Sequence, residues 1–124
     1  MKILVAEDEP MLLKTIELKL KKEGYEVITA TDGRDALAKI EEMVPDMVIT
    51  DIMMPYASGL EIVSLVRKNT ANKIPIIMLS AMEQEKVVME AFELGADDYI
   101  TKPFSLNELA IRVKRLMNQY GRTK

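Results

Sequence analysis

The sequence predicts a doubly wound α/β domain, a five-stranded parallel sheet with helices on both faces. Two observations carry this. Short apolar runs rich in branched residues alternate with longer stretches of mixed polarity, five times along the chain. Three of those runs are almost continuously apolar, the pattern of a strand buried on both sides. Length and composition fit: 124 residues make one domain, and 48% hydrophobic with 30% charged residues can bury a core.

The first strand is Ile3-Leu4-Val5-Ala6. Pro10 then sits where a first helical turn tolerates proline, and Leu13, Ile16 and Leu20 follow at helical spacing. Glu26-Val27-Ile28-Thr29 is the second strand, and Leu37, Ile40 and Val44 mark the second helix. Met47-Val48-Ile49-Thr50 is the third strand, followed by a helix carrying Ile62, Val63 and Val66. Pro75-Ile76-Ile77-Met78-Leu79 is the fourth, with Val87, Ala91 and Leu94 on the helix after it. Tyr99-Ile100 is the fifth. The last helix opens on a capping box, Ser105 and Glu108, each side chain satisfying a free backbone N–H, with Phe104 and Leu109 as the staple. Lys114 and Arg115 lie toward its C-terminal end, where the helix dipole favours cations. Gly24, Gly33, Gly59 and Gly95 punctuate the joints. Five such units give the flavodoxin-like strand order 2-1-3-4-5, whose ligand site lies at the strands' carboxyl ends where the order reverses, between strands 1 and 3. Residues 1–118 form the domain, and 119–124 are a polar tail or the start of a linker.

Composition narrows the chemistry. There is no cysteine and no histidine, which excludes thiol chemistry, His-based nucleophile systems and His-ligated metals. Catalysis is left to carboxylates, hydroxyls, lysine and a hard cation. A net charge of -3 gives no electrostatic case for nucleic acid or membrane binding. No apolar run is long enough to cross a bilayer and no signal peptide opens the chain, so a cytoplasmic protein is expected.

The strand ends carry the chemistry. Strand 1 ends in Glu7-Asp8, strand 3 in Asp51, strand 4 in Ser80-Ala81, and strand 5 in Thr101-Lys102-Pro103. Taken singly, each residue is most simply a cap, a first-turn acid or a solvated lysine. Together they place three carboxylates, a hydroxyl and a lysine at one sheet edge. Crowded carboxylates repel, and a divalent cation relieves that; with only oxygen ligands present, Mg²⁺ is the natural ion. Asp51 would be a nucleophile on phosphorus, forming an acyl phosphate. Mg²⁺, Lys102 and Ser80 would each cover one phosphoryl oxygen.

These segments resemble the bacterial response-regulator receiver family over essentially the whole chain. The resemblance rests on Ile3 to Pro10, Pro45 to Pro55, Gly59, Pro75 to Ala81 and Gly95 to Phe104. It implies that Asp51 accepts a phosphoryl group from the phosphohistidine of a sensor histidine kinase or phosphotransfer protein. It implies that Asp8 binds Mg²⁺ directly, that Glu7 takes the other acidic position through water, and that the Met53 backbone carbonyl is the third protein ligand. Lys102 pairs with the phosphate, and the Lys102-Pro103 bond is expected to be cis. Ser80 and Tyr99 match the hydroxyl and aromatic that move together on activation, reshaping the face of the fourth helix, fifth strand and fifth helix to control an output domain or partner. The domain is thus a regulatory phosphoacceptor that assists its own phosphotransfer and slow dephosphorylation, not an enzyme acting on others. Methionine at 53 and 82, where polar residues could hold a hydrolytic water, predicts a long-lived phosphoryl group.

Residues Gly95 to Met117 resemble receivers that precede a winged-helix DNA-binding domain, which implies transcription regulation with DNA met only through a separate output domain. That subgroup pairs as a homodimer through the same face, and Asp98 with Arg112 is a candidate pair. Glu90, facing the acid Glu108, and Gln119 stand where basic residues are usual, which puts this dimer mode in question. Three other readings fit the residues less well. A Mg²⁺-dependent aspartate-nucleophile phosphohydrolase wants a second acid at position 53, which is Met. A nucleotide or flavin module wants glycine-rich loops that are absent. A receiver that docks partners without phosphate would not need the full acceptor set.

Overall fold

A computed structural model describes residues 1–54, 56–69, 74–81 and 85–120. Pro55, Met82 and the tail from 121 onward lie outside the described residues. The elements run β1 (Lys2–Ala6), α1 (Pro10–Lys22), β2 (Glu26–Ala30), α2 (Gly33–Met43), β3 (Met47–Asp51), α3 (Gly59–Asn69), β4 (Ile76–Ser80), α4 (Glu85–Leu94), β5 (Asp98–Thr101) and α5 (Leu106–Gln119). The sheet is five-stranded and parallel in the order β2-β1-β3-β4-β5, as the sequence predicts.

Why the central strands read as continuous apolar runs is visible in the core. Along β1, Leu4 and Ala6 enter one apolar cluster while Ile3 and Val5 enter the other. The same alternation splits β3, with Val48 on one side and Met47 and Ile49 on the other. Each strand therefore buries both faces, and period-two amphipathicity vanishes. One cluster is closed by α2, α3 and α4, through Ala36, Ile40, Ile62, Val63, Val66, Val88 and Ala91. The opposite cluster is closed by Leu13, Ile16 and Leu20 of α1 and Leu109, Val113, Leu116 and Met117 of α5. In α1 and α3 these are the stripes read from the sequence; in α2, Val44 is instead the exposed left-handed C-cap with Ala36 buried in the stripe, and in α4 Leu94 is exposed while Val88 is buried beside a half-buried Val87.

Two further local expectations change. Ser105 caps α5, its Oγ accepting from the Glu108 amide at 2.9 Å. The Glu108 carboxylate turns instead to Arg112, at 3.0 Å, because a guanidinium one helical turn away competes for it. Helix α5 runs on to Gln119, so Lys114 and Arg115 lie before its last turn rather than in it. At the far end of the sheet from the β3 carboxyl end, Arg67 ties three elements together. It donates to Gly95 O, to Ile74 O and to Asp97, while Tyr120 Oη donates to the other Asp97 oxygen at 2.6 Å.

Candidate functional site

Parallel strands deliver their last residues to one edge, and β1 and β3 are neighbours there. Asp51 is the last residue of β3 and is buried. Glu7 follows β1 with its amide held by Ala30 O at 3.1 Å and its side chain fully buried. Asp8, next along, is exposed. Carboxylate oxygens of Glu7, Asp8 and Asp51 lie within 4.8 Å of one another. Lys102 arrives from β5, where its amide donates to Ser80 O at 2.7 Å. Its Nζ donates to Asp51 Oδ2 at 2.8 Å and lies 2.9 Å from Glu7 Oε1. The Lys102-Pro103 peptide bond is cis.

The two lysine contacts differ. The one to Asp51 has hydrogen-bond geometry; the one to Glu7 is close but poorly directed, so Glu7 Oε1 is buried without a hydrogen-bond partner. Glu7 Oε2 does accept, from the Glu9 amide at 3.1 Å. Burial, and then the charge of Asp51, push the Glu7 carboxyl up to about 7 against the opposing pull of Lys102 and the Glu9 amide. Burial pulls the Lys102 ammonium down, but its contacts with Asp51 and Glu7 outweigh that and raise it. A buried acceptor left unmade beside two further carboxylates suits a hard divalent cation with oxygen ligands. These residues could therefore hold a metal.

The remaining predicted residues take distinct places. Ser80, the last residue of β4, is buried one position beyond Leu79, the register partner of Asp51. Met53 lies just past the acceptor with its side chain 57% exposed. Tyr99 is not gathered into the site: it is 40% exposed on β5, with the Phe92 ring 5.5 Å away, edge to face. Between Ser80 and Tyr99 lies a pocket of about 310 Å³ walled by Val88, Met89, Phe92 and Thr101. Thr101, Phe92 and the Glu9 amide were not singled out from the sequence; Thr101 was legible as the neighbour of Lys102, whereas an amide that holds a side chain leaves no sequence signal. Asp98 and Arg112, read as partners across a dimer, pair inside the chain at 2.9 Å. Arg112 also neutralises Glu108, one turn before it on α5.

A doubly wound parallel sheet with converging acids and a lysine at the switch between β1 and β3 defines the class, a receiver. Residues 3–114 match the response regulator receiver domain model, and the chain belongs to that family. Solved structures agree. The receiver domain of Francisella response regulator 1452 is 40% identical, with TM-score 0.85 over 99% of this chain and 98% of that one. The chemotaxis response regulator CheY4 of Vibrio cholerae is 34% identical, with TM-score 0.86 over 93% and 97%. NtrX of Brucella abortus is 30% identical with TM-score 0.89, and there 97% of this chain matches only 27% of that longer one. The chain is thus a two-component receiver domain, a regulatory phosphoacceptor by family. Among the described residues, no helix is long and apolar enough to cross a membrane.

Proposed function

We propose that this domain accepts a phosphoryl group on Asp51 from the phosphohistidine of a sensor kinase or phosphotransfer protein, with Mg²⁺ bound by Glu7, Asp8, Asp51 and the Met53 carbonyl. The supporting observation is the cluster itself: three carboxylates converge, one oxygen of Glu7 has no hydrogen bond, and Lys102 reaches both Asp51 and Glu7. Bound Mg²⁺ would neutralise charge on the phosphoryl oxygens. The protein's own steps are few. An Asp51 carboxylate oxygen attacks phosphorus, the P–N bond to imidazole breaks, and the ring leaves with the electron pair. Lys102, already hydrogen-bonded to Asp51, stabilises charge on a phosphoryl oxygen, and the Ser80 hydroxyl donates to another. As Ser80 is drawn toward the phosphoryl group, Tyr99 turns into the pocket beside it, and the face of α4, β5 and α5 changes shape. Phosphate biases a pre-existing two-state equilibrium. That face then controls an output domain or partner, including a homodimer, in the cytoplasm, with transcription as the output read from the subgroup resemblance.

Intact mass after incubation with acetyl phosphate and Mg²⁺ tests this reading. The native chain is expected to gain one phosphoryl group that hydroxylamine removes, and Asp51→Asn to gain none. No gain with any donor would sink the phosphoacceptor role and leave a receiver that docks partners without phosphate.

A further inference from the structure

Beside the acceptor, the loop between β3 and α3 is held by a contact that the phosphoryl chemistry does not use. Tyr56 has φ of 72°, in the left-handed region, where an aromatic side chain is strained. Its ring is 72% exposed, so burial does not offset that strain. The Arg34 guanidinium lies 4.5 Å from the centroid of the Tyr56 ring, a cation–π contact that works against that strain.

Arg34 is well placed to hold the loop. It is the second residue of α2, whose N-terminus is fixed by Asp32, the side chain accepting from the Asp35 amide at 2.8 Å. The preceding Gly33 packs so closely on Ala57 that any side chain at 33 would collide with the Ala57 carbonyl. At the other end of the loop, the Gly59 amide donates to Ile52 O at 2.7 Å, and Gly59 packs against the Asp51 carbonyl. Backbone contacts thus hold Ile52, Ala57 and Gly59, and Arg34 over Tyr56 adds a side-chain hold beside Ala57. Met53, whose carbonyl the proposed function assigns to the cation, follows Ile52 in sequence.

We propose that Arg34 and Tyr56 are positioning residues for the acceptor site: their cation–π contact keeps the loop after Asp51 in the conformation that receives the divalent cation. The proposal rests on the metal reading of Glu7, Asp8 and Asp51. Without the guanidinium, a tyrosine at 56 drifts out of the left-handed region, and the binding-competent loop becomes a fraction of the population. Apparent cation affinity falls by that fraction. An exposed cation–π contact is worth a factor of about two to five in such an equilibrium. Glycine at 56 adopts the left-handed conformation at no steric cost, so the contact becomes redundant there.

The experiment is a Mg²⁺ titration followed by the backbone amide NMR shifts of Ile52 and Met53. The chains compared are native, Arg34→Ala, Tyr56→Phe, Tyr56→Gly and the Arg34→Ala/Tyr56→Gly double variant. Arg34→Ala is expected to raise the Mg²⁺ dissociation constant, by up to about fivefold. Tyr56→Phe keeps the ring and should match the native chain. The double variant should match Tyr56→Gly alone, since arginine then has no strained residue to hold; a general weakening of α2 would persist in both backgrounds. An unchanged constant in Arg34→Ala, or the same loss with and without Tyr56→Gly, overturns the proposal while leaving the metal site standing. A native chain that shows no Mg²⁺ response removes the metal reading and this proposal with it.

Discussion

Replacing Lys102 by methionine should destabilise the metal-free protein by an amount that grows with pH. Lys102 touches two acids, Asp51 at 2.8 Å and Glu7 at 2.9 Å, and burial brings the Glu7 carboxyl near neutrality. In the native chain the Glu7 carboxyl sits at about 7, raised from 4.5 chiefly by burial. Between those values the folded state holds a proton that the unfolded chain has released, so stability falls as pH rises and levels off above 7. The fall is worth about 3 kcal/mol. Lys102 lowers Glu7, so its removal moves Glu7 further up. At pH 6 the acid is mostly neutral in both chains, and the variant lacks mainly the hydrogen bond to Asp51, about 1.5–3 kcal/mol. Above pH 7 the native curve is flat in this group while the variant keeps losing about 1.4 kcal/mol per pH unit. By about pH 8.5 the gap should have widened by about 2 kcal/mol. Urea denaturation of both chains in a chelator, at several pH values from about 6 to 8.5, measures it. A gap that stays constant across that range would refute the assignment of Glu7 as the proton-holding partner of Lys102.

Three further outcomes are expected. Arg67→Ala strips donors from Ile74 O, Gly95 O and Asp97 at once, and should cost about 3 kcal/mol by calorimetry or denaturant; a loss below about 1 kcal/mol would show the network to be incidental. Tyr120 is pushed up to about 12 by burial and by its bond to Asp97, so the stability it adds is complete below 10 and disappears through 12; tyrosinate absorbance should show a late-titrating phenol, besides Tyr25 which burial also raises, that Asp97→Asn shifts back toward 10. The acyl phosphate should be long-lived because Met53, at the acceptor rim, cannot orient water as a polar side chain does; the second methionine of that argument, Met82, lies outside the described residues. Half-life after removal of donor checks this, and decay within seconds would end the argument.

Which features were legible follows from how each is encoded. The strands were, because burying both faces forces a run such as Met47-Val48-Ile49 into the sequence with no partner needed to explain it. The acids and the lysine were, because parallel topology carries every strand's carboxyl end to one edge, so Asp51 and Lys102 meet although 51 positions apart. Pairings that depend on side-chain reach were not. Glu108 had two partners at helical distance, the Ser105 amide and Arg112, and spacing alone does not rank an amide against a guanidinium. Asp98 and Arg112 had the right charges for a dimer, but the closeness of β5 to α5 lets them meet within one chain first. A homodimer through this face would then have to exchange that pair for one across the interface, at little net gain, because the charges are already satisfied and partly exposed. Association by the α4, β5 and α5 face would therefore draw its energy from apolar side chains exposed there, Met89, Phe92, Tyr99 and Ile111. Two of these, Met89 and Phe92, wall the pocket that Tyr99 would enter, so turning Tyr99 inward would alter the apolar surface on which a partner must pack. On that view the switch acts on packing, and the charges decide which partners are refused.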